Sequence, residues 1–496
     1  MMDKKDYAII FTIMLAVVLV NLNFLHYPLA GDSVSYVDLA NNLANRHEYT
    51  TNTREEQSIR MIMPLLPFVG AASIKLAHLF GYDNILVIMR LLNAAFNALT
   101  IFFVYLFSVK LGMKRIYSVF TALFLASNAF FINFMNTSFI LTEPLAMLLL
   151  VMGYYYFFFG KRNRIIVSGI LFSMSVFTRH VMLFFIAPVL LFEAVMIIKR
   201  KKIKESLVSV GVIVVPLMLW VVYFMVKGIR DSKGSRATAL QLIKYVVVYD
   251  ILAPGILLGI IGIGLIVAAF FEIKSIYKSI KNNKNKISKR EIFFMFSFAS
   301  IASFLVLFIV PLFFVKTVAI KFTTSYIFSR TRYVIVILPF SVMVVFSYLS
   351  KISHKIKKPA ERALLYAIWA IIAANILFAA VVNSGYIQDK KTSPIRNTFV
   401  HRQYHRHMAI EWAEENAGGK INAVFSEPEG GMAGINIFKK HYFKKNYSDA
   451  GFDYLVVDEN SVDSKIAKEC VNGKSLNNLA VFSTSSPVSI VLKCVK

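Results

Sequence analysis

Residues 142–164 read TEPLAMLLLVMGYYYFFFGKRNR, and this stretch shows how the chain is built. From Pro144 to Gly160 it holds no charged residue, and its length approaches the roughly 20 residues that a helix needs to cross a bilayer core. Glu143 stands at one end, and three basic residues follow the other end. The stretch therefore predicts a transmembrane helix whose basic end lies in the cytoplasm.

The composition extends this interpretation to the whole chain. Of its 496 residues, 57% are hydrophobic and only 17% are charged, whereas a soluble domain has about 25% charged residues. This excludes a disordered chain and an ordinary cytosolic enzyme. The net charge of +27 is better explained by Lys and Arg in cytoplasmic loops than by nucleic-acid binding.

Comparable apolar runs recur along the chain and predict a polytopic α-helical membrane protein with about eleven transmembrane helices. The predicted spans lie near 7–29, 84–109, 116–137, 142–160, 165–180, 181–199, 206–227, 249–273, 291–315, 328–350 and 363–384.

Clusters of basic residues predict the orientation, because every cluster falls in an alternate loop. The clusters are Lys4 and Lys5; Lys110, Lys114 and Arg115; Lys161, Arg162 and Arg164; Lys199 to Lys204; Lys274 to Arg290; and Lys351 to Arg362. Loops rich in Lys and Arg stay in the cytoplasm. We therefore expect a cytoplasmic N-terminus, a transmembrane domain over 1–384, a first extracytoplasmic loop over 30–83 and an extracytoplasmic C-terminal domain over 385–496, all in the plasma or inner membrane.

The C-terminal domain has the pattern of a small α/β fold. An amphipathic helix is predicted over 407–417, and short β-rich runs follow it at 421–425, 454–457, 479–482 and 488–495. The chain's two cysteines, Cys470 and Cys494, both lie here. They could form a disulfide in an oxidising compartment, and the sequence leaves this open.

Two acidic residues stand at the predicted outer membrane boundary. Asp32 follows the first span and precedes a helix whose apolar spacing is typical of a helix lying on the bilayer surface. Glu143 begins the fourth span, one residue before Pro144. Each is a candidate catalytic carboxylate, and each could equally stabilise a helix N-terminus, Asp32 as a cap and Glu143 through the macrodipole.

Basic residues predicted on the outer side depart from the positive-inside pattern, which makes them candidates for binding a phosphate group. Arg60, Arg179, His180, Arg330 and Arg332 belong to this group. Arginine donates paired hydrogen bonds to phosphate oxygens, so these side chains could hold the phosphate of a lipid. The alternative is that they reach out to lipid headgroups.

The order of these motifs resembles the GT-C superfamily of integral-membrane glycosyltransferases, and in particular the protein O-mannosyltransferase and lipid A aminoarabinose transferase branch. The resemblance covers the first four-fifths of the chain. It is carried by Gly31-Asp32-Ser33-Val34-Ser35-Tyr36, Met63-Pro64-Leu65-Leu66-Pro67, Leu79-Phe80-Gly81, Leu141-Thr142-Glu143-Pro144-Leu145-Ala146, Phe177-Thr178-Arg179-His180 and Arg332-Tyr333-Val334-Ile335-Val336-Ile337-Leu338-Pro339. The chain departs from the branch at Ser33, where many relatives have a second acid, and at His180, where a proline is expected.

The resemblance implies a hexosyl- or pentosyltransferase that uses a polyprenyl-phosphate sugar donor and transfers the sugar to a lipid, glycan or protein hydroxyl on the outer face. Asp32 would be the catalytic base, and Glu143 would orient the acceptor or support the site. The residues that would bind the lipid phosphate and the substrate are Arg60, Arg179, His180, Arg330, Arg332 and Tyr36. No cofactor and no metal are expected, although Asp32 and Glu143 could share a divalent ion.

Two other functions remain open at this stage. A transporter or lipid flippase would place charged residues inside its spans and often has repeated halves, whereas the charges here are expected at the span boundaries. A non-catalytic assembly or sensor protein that displays the C-terminal domain would not need Asp32.

Overall fold

The computed structural model describes the chain in separate stretches. These are residues 4–22, 32–49, 63–128, 142–160, 164–179, 182–198, 203–226, 288–304, 335–383, 421–424, 454–458, 475–482 and 489–495, with scattered helical residues between 264 and 274.

Most of the described residues belong to α-helices. Their bounds are α1 Lys4–Leu22, α2 Asp32–Arg46, α3 Leu65–Leu79, α4 Ile85–Lys110, α5 Arg115–Ser127, α6 Thr142–Phe159, α7 Arg164–Thr178, α8 Met182–Ile198, α9 Ile203–Val226, α10 Lys289–Phe304, α11 Leu338–Ser353 and α12 Lys358–Asn383. A short 3₁₀ turn, Ile335–Ile337, leads into α11.

Every predicted span from 7–29 to 206–227, and each of the last three, overlaps one of these helices. The eighth, 249–273, lies almost wholly outside the described residues. Among the described helices, three are long and apolar enough to cross a membrane: Ile85–Lys110, Thr142–Phe159 and Lys358–Leu377. Five others are apolar but shorter, so the total of eleven spans stays a prediction.

The outer surface of the helical part is apolar. Tyr366, Ile376 and Leu377 on α12 and Leu191 on α8 are among the large hydrophobic side chains that are exposed. A soluble monomer rarely leaves so much apolar surface uncovered. Such a surface is typical of helices that face lipid.

Local sequence explains the limits of α4. The side chain of Asn84 accepts a hydrogen bond from the amide of Val87 at 3.2 Å, which caps the helix at its first residue, Ile85. At the other end Gly112 has a φ of 79°, a backbone conformation that glycine adopts readily and that ends a helix. The chain then turns directly into α5.

One end of the bundle is tied together by ion pairs between helix ends. Asp6 accepts a 2.6 Å hydrogen bond from Tyr105 and lies 2.5 Å from Arg115. Lys114 pairs with Glu361 at 2.6 Å, and Lys351 with Glu272 at 2.8 Å. These contacts bring together helix ends next to four of the predicted basic loops. Loops that alternate along the chain are expected on the same side of the membrane, and these four indeed lie at the same end of the bundle.

The helices α4 and α6 lie side by side and run in the same direction. The ring of Phe103 contacts Tyr155 at 5.8 Å between centroids, and Phe107 contacts Phe159 at 5.5 Å. Both contacts join positions whose numbers differ by 52 (103 and 155, 107 and 159). Two parallel helices with equal rise per residue keep this offset, so Arg90 lies at about the depth of Thr142.

The helix α2 buries its apolar side against other helices, whereas the sequence suggests a helix that exposes this side to the bilayer. It packs against α3, and Val37 and Ala40 are buried together with Leu66 of α3, Met89 of α4 and further residues of α6. Both the apolar and the polar sides of α2 are covered, because α3 and α4 come close to it at Gly70. A Cβ atom on Gly70 would lie 2.9 Å from Cβ of Ala40 and 2.7 Å from the sulfur of Met89.

The C-terminal part contains a four-stranded sheet. The strands are β1 Ile421–Val424, β2 Tyr454–Asp458, β3 Ser475–Phe482 and β4 Ser489–Val495, in the order β1-β2-β4-β3. The strand β1 pairs with β2 in parallel, and β4 is antiparallel to both of its neighbours. The four strands lie where the sequence predicts them, but β3 begins at Ser475, earlier than expected.

Two expectations about this domain concern residues outside the described part. The predicted helix over 407–417 is not among the described residues, so the α/β class of the domain stays a prediction. The same holds for the pairing of Cys470 with Cys494.

The close approach at Gly70 leads to a stability prediction. We expect Gly70→Val to lower the melting temperature of the protein in detergent, because overpacking such a contact costs about 1–3 kcal/mol. Gly211→Ala is the control, since a Cβ atom there meets nothing within 4 Å. Differential scanning fluorimetry measures both variants, and an unchanged melting temperature for Gly70→Val would contradict the tight packing of α2 on α3.

Candidate active site

A buried ion pair joins the beginning of α6 to the end of α7. Glu143 lies in the first turn of α6, and Arg179 follows Thr178, the last residue of α7. A guanidinium nitrogen of Arg179 contacts the carboxylate of Glu143 directly. The structure thus brings together two residues that the sequence analysis selects for separate reasons.

Thr142 completes this arrangement. Its hydroxyl donates a hydrogen bond to Oε2 of Glu143 at 3.2 Å and accepts one from Arg179 at 3.1 Å. The side chain of Glu143 is 0% exposed and that of Arg179 only 8%. A pair buried to this degree is sensitive to the loss of either partner, because the other charge would then lack compensation.

Close packing of α6 on α7 sets the position of the pair. Ser175 donates a hydrogen bond from its side chain to the carbonyl of Ala146 at 2.8 Å, one turn below Glu143. Further along, a Cβ atom on Gly153 would lie 2.6 Å from the ring of Phe172, so glycine lets the two helices approach. The backbone amide of Arg179 donates to the carbonyl of Ser175 at 3.0 Å, which continues the helical turn up to the ion pair.

The ion pair and the basic helix ends lie at opposite ends of the bundle. Glu143 is 16 residues before Phe159 on α6, or about 24 Å along the helix axis. The ammonium group of Lys289 lies over the ring of Phe159 at 5.3 Å, and Lys289 belongs to a predicted cytoplasmic loop. If basic loops are cytoplasmic, Glu143 and Arg179 lie on the outer side.

Asp32 is the first residue of α2, which confirms that a helix begins at this acid. Tyr36, one turn later, is partly buried and packs against Leu39. Val37 of α2 and Leu145 of α6 belong to the same buried cluster. The helix that begins with Asp32 and the helix that begins beside Glu143 are therefore parts of one packed unit.

Four of the predicted phosphate-binding residues are not placed. Arg60, His180, Arg330 and Arg332 lie outside the described residues. Of the predicted set, the structure locates Tyr36 on α2 and Arg179 at the end of α7.

The sequence analysis missed a group of buried polar residues at this end. On α2 these are Ser35, Asp38 and Asn42; on α4 they are Arg90, Asn93 and Asn97. The side chain of Asn42 donates to Asp38 at 3.5 Å. In each helix the three residues are spaced by three and then four positions, which places them on one face, and this spacing was the signal in the sequence.

Arg90 is a buried charge near the start of the span predicted over 84–109. It is the sixth residue beyond Asn84, and only 4% of the residue is exposed. Since its depth is about that of Thr142, the two buried cations Arg90 and Arg179 and the buried acid Glu143 lie at a similar depth.

No protein-family model matches this chain, and no curated protein does. Among solved structures, similarity is found to the protein O-mannosyltransferase Pmt1-Pmt2 complex of S. cerevisiae bound to its sugar donor, with 17% identity over 46% of this chain and a TM-score of 0.35. That match spans 34% of the yeast chain, about a third of its length.

The oligosaccharyltransferase of Archaeoglobus fulgidus is a second similar structure. Its apo form has 12% identity over 93% of this chain and 71% of the archaeal chain, with a TM-score of 0.49. The same enzyme with an inhibitory peptide and a dolichol-phosphate has 14% identity over the same shares and a TM-score of 0.40. These neighbours are glycosyltransferases, the class that the sequence resemblance names. All of these TM-scores are below 0.5.

The buried pair gives a prediction that needs no substrate. Arg179→Met should destabilise the protein by about 3–5 kcal/mol, because it leaves the carboxylate of Glu143 buried without its cation. The double variant Glu143→Gln/Arg179→Met should recover a large part of this loss, since neither charge remains. Melting temperatures in detergent measure both effects.

Lys114→Met serves as the control at the opposite end. The side chains of Lys114 and Glu361 are each about a quarter exposed, and a partly exposed pair contributes less than a buried one. A drop for Lys114→Met as large as that for Arg179→Met, or a double variant no better than the single one, would show that burial of the pair is not the cause.

Proposed function

We propose that this chain is an integral-membrane glycosyltransferase of the GT-C type. It transfers a sugar from a polyprenyl-phosphate donor to an acceptor hydroxyl at the extracytoplasmic face of the plasma or inner membrane, with inversion of the anomeric centre. The observation that carries the proposal is the buried pair of Glu143 and Arg179 beside the helix that begins with Asp32. This arrangement supports a site with two carboxylates and a cation at the end of the bundle opposite the basic loops.

The polarity of the bundle supports an outer site. Helix ends from several basic loops are joined through Asp6, Lys114 and Lys351, and the positive-inside rule assigns that end to the cytoplasm. A site at the other end has no access to cytoplasmic nucleotide sugars. A lipid-linked sugar reaches it through the bilayer, because the lipid tail can enter between the helices.

The chemistry needs one carboxylate base. In the proposed step the acceptor oxygen forms a bond to the anomeric carbon while the bond from that carbon to the phosphate oxygen breaks. Asp32 takes the proton of the acceptor hydroxyl, and polyprenyl phosphate leaves with the bonding electrons. A single attack from the side opposite the phosphate inverts the anomeric centre.

The ion pair has a supporting role in the proposed reaction. Glu143 orients the acceptor or maintains the shape of the site, and Arg179 holds the carboxylate of Glu143 in place. The negative charge that develops on the leaving phosphate needs cations. We assign the binding of the lipid phosphate and the substrate to Arg179 together with Arg60, His180, Arg330, Arg332 and Tyr36.

No cofactor takes part in the proposed reaction. The acceptor can be a lipid, a glycan or a protein, and the sugar a hexose or a pentose. A divalent ion shared by Asp32 and Glu143 is the alternative arrangement, and it predicts that a chelator abolishes activity.

The test uses the full chain in lipid nanodiscs with a panel of labelled polyprenyl-phosphate monosaccharides. Wild-type protein should release polyprenyl phosphate from one of them when acceptors are present. Asp32→Asn should lower the release rate by about 10²–10⁴-fold, the usual contribution of a general base, while donor binding is retained. A parallel reaction with EDTA tests the shared ion.

Asp83→Asn is the matched control. Asp83 also stands just before a helix on the proposed outer side, but its side chain is 85% exposed and it has no role in the proposed reaction. Its release rate should equal that of the wild type. Full activity of Asp32→Asn would rule out the proposed base, and failure of every donor to bind would rule out the donor class.

A further inference from the structure

A buried tyrosine on α6 takes no part in the proposed reaction. Tyr154 is only 1% exposed, and its ring packs edge-on against Phe172 of α7 at 5.1 Å and Phe340 of α11 at 5.2 Å between centroids. Its hydroxyl donates a hydrogen bond to the backbone carbonyl of Phe185 on α8 and lies 2.8 Å from the hydroxyl of Ser300 on α10. The hydroxyl of Ser300 lies 2.9 Å from the same carbonyl. Side chains from two helices thus meet one backbone carbonyl of a third.

The two hydroxyl groups have two protons for these three contacts. Tyr154 donates its proton to the carbonyl, and Ser300 donates either to the carbonyl or to the oxygen of Tyr154. In both arrangements the carbonyl of Phe185 accepts a side-chain hydrogen bond, and both hydroxyl protons are used. We call these three groups the Phe185 junction. Its hydrogen bonds exist only while α6, α8 and α10 stay together.

The Phe185 junction lies where the hydrogen-bond ladder of α8 is interrupted. The helix continues through Pro188, which has no N–H group and therefore cannot donate to the carbonyl of Phe184, four residues earlier. The proline ring also pushes against the preceding turn, and the carbonyl of Phe185 belongs to that turn. In a membrane helix, hydroxyl side chains of neighbouring helices can supply hydrogen bonds to a turn opened in this way. Tyr154 and Ser300 supply them here.

The turn that carries Phe185 is also the part of α8 next to the buried ion pair. The amide of Met182, the first residue of α8, donates to the backbone carbonyl of Arg179 at 3.0 Å. Phe185 follows three residues later. Arg179 is therefore attached to Glu143 by its side chain and to the first turn of α8 by its backbone.

We propose that Tyr154 and Ser300 are positioning residues for Arg179. They hold the first turn of α8 where Pro188 interrupts the helix, and thereby keep the backbone of Arg179 at the level where its guanidinium meets Glu143. The inference deepens the proposed function and rests on it for the role of Arg179 in binding the donor phosphate. Its structural part can be tested without any substrate.

A thiol-labelling experiment tests whether the Phe185 junction holds the start of α8. The chain has two cysteines, Cys470 and Cys494, and both are replaced by alanine. Met182→Cys is then introduced, because Met182 begins α8 and is 0% exposed. A soluble maleimide should label this thiol slowly in nanodiscs while the first turn of α8 stays packed.

Tyr154→Phe and Ser300→Ala should each raise the labelling rate by roughly fivefold, as expected when an opening equilibrium loses one buried hydrogen bond. Tyr155→Phe is the first control, since the ring of Tyr155 contacts Phe103 of α4 at 5.8 Å. Ser297→Ala is the second: Ser297 is as buried as Ser300, at 1%, and its hydroxyl has no partner among the described residues. Both controls should stay within about twofold of the parent. An equal effect of the two serine variants would overturn the proposal.

Replacement of the proline tests why the Phe185 junction is needed. Pro188→Ala restores the missing N–H group, so α8 can close its own hydrogen-bond ladder. In this background Tyr154→Phe should change the labelling rate by less than about twofold, because coupled residues are not additive. The same increase with alanine as with proline at this position would overturn the link between the Phe185 junction and Pro188.

Folding of each variant is checked by size-exclusion chromatography. If Tyr154→Phe yields no folded protein, Ser300→Ala and its control Ser297→Ala decide in its place, with both proline and alanine at position 188.

The positioning role has its own measurement, in protein that keeps Met182. Tyr154→Phe should lower kcat/KM for polyprenyl phosphate release by roughly tenfold, because a displaced Arg179 holds the phosphate less well. Tyr154→Phe/Pro188→Ala should return to within about twofold of Pro188→Ala alone. A loss that Pro188→Ala does not rescue would show that Tyr154 affects the reaction by another route and would overturn the positioning role.

The two proposals fail in different ways. If the wild-type protein releases no polyprenyl phosphate from any donor, the transferase proposal fails, and the labelling rates still decide whether the Phe185 junction holds α8. If release occurs and depends on Asp32 but labelling is unaffected by Tyr154→Phe and Ser300→Ala, the transferase proposal stands and the positioning proposal is wrong.

Discussion

The buried contact between Glu143 and Arg179 is the interaction on which the end of the bundle opposite the basic loops depends. Neither residue would be stable alone at this depth, because an isolated charge inside a bundle has neither water nor a counter-ion. Their contact requires the start of α6 and the end of α7 to meet at one level, and Thr142 adds hydrogen bonds to both. The depth of the candidate site is thereby set by a pair that lies between two consecutive helices.

Charge is distributed differently at the two ends of the bundle. At the basic end the pairs join helices far apart in the chain, such as Lys114 with Glu361 and Lys351 with Glu272, and the cations remain partly exposed. At the opposite end the charged groups Asp38, Arg90 and Glu143 are almost fully buried. Exposed cations suit a surface in contact with water and headgroups, whereas buried pairs suit a site from which water is excluded, where electrostatic interactions are stronger.

The sequence predicts the helices well because the bilayer imposes a simple rule on length and polarity. It also selects Glu143 and Arg179, since a charge next to a long apolar run is conspicuous. It does not predict that they pair, because the contact depends on the packing of α6 on α7 at Gly153 and Ser175. The burial of α2 was missed for a similar reason: its amphipathic pattern is equally consistent with a membrane surface, and only the approach of α3 at Gly70 distinguishes the two. In the sheet, the sequence predicts the start of β3 too late, because Asn477 and Asn478 have low strand propensity. Both residues nevertheless pair with β4.

The location of the ion pair within a single helical hairpin has a consequence for biosynthesis. Nascent membrane proteins insert helix by helix, and a lone charged residue raises the cost of inserting its helix. Since Glu143 and Arg179 belong to consecutive helices, each supplies the counter-charge of the other as soon as α7 follows α6 into the bilayer, before α8 and the later helices are made. The charges of Glu143 and Arg179 therefore balance each other within the hairpin from the moment it forms. We expect loss of either residue to act first on membrane insertion and only later on the finished protein.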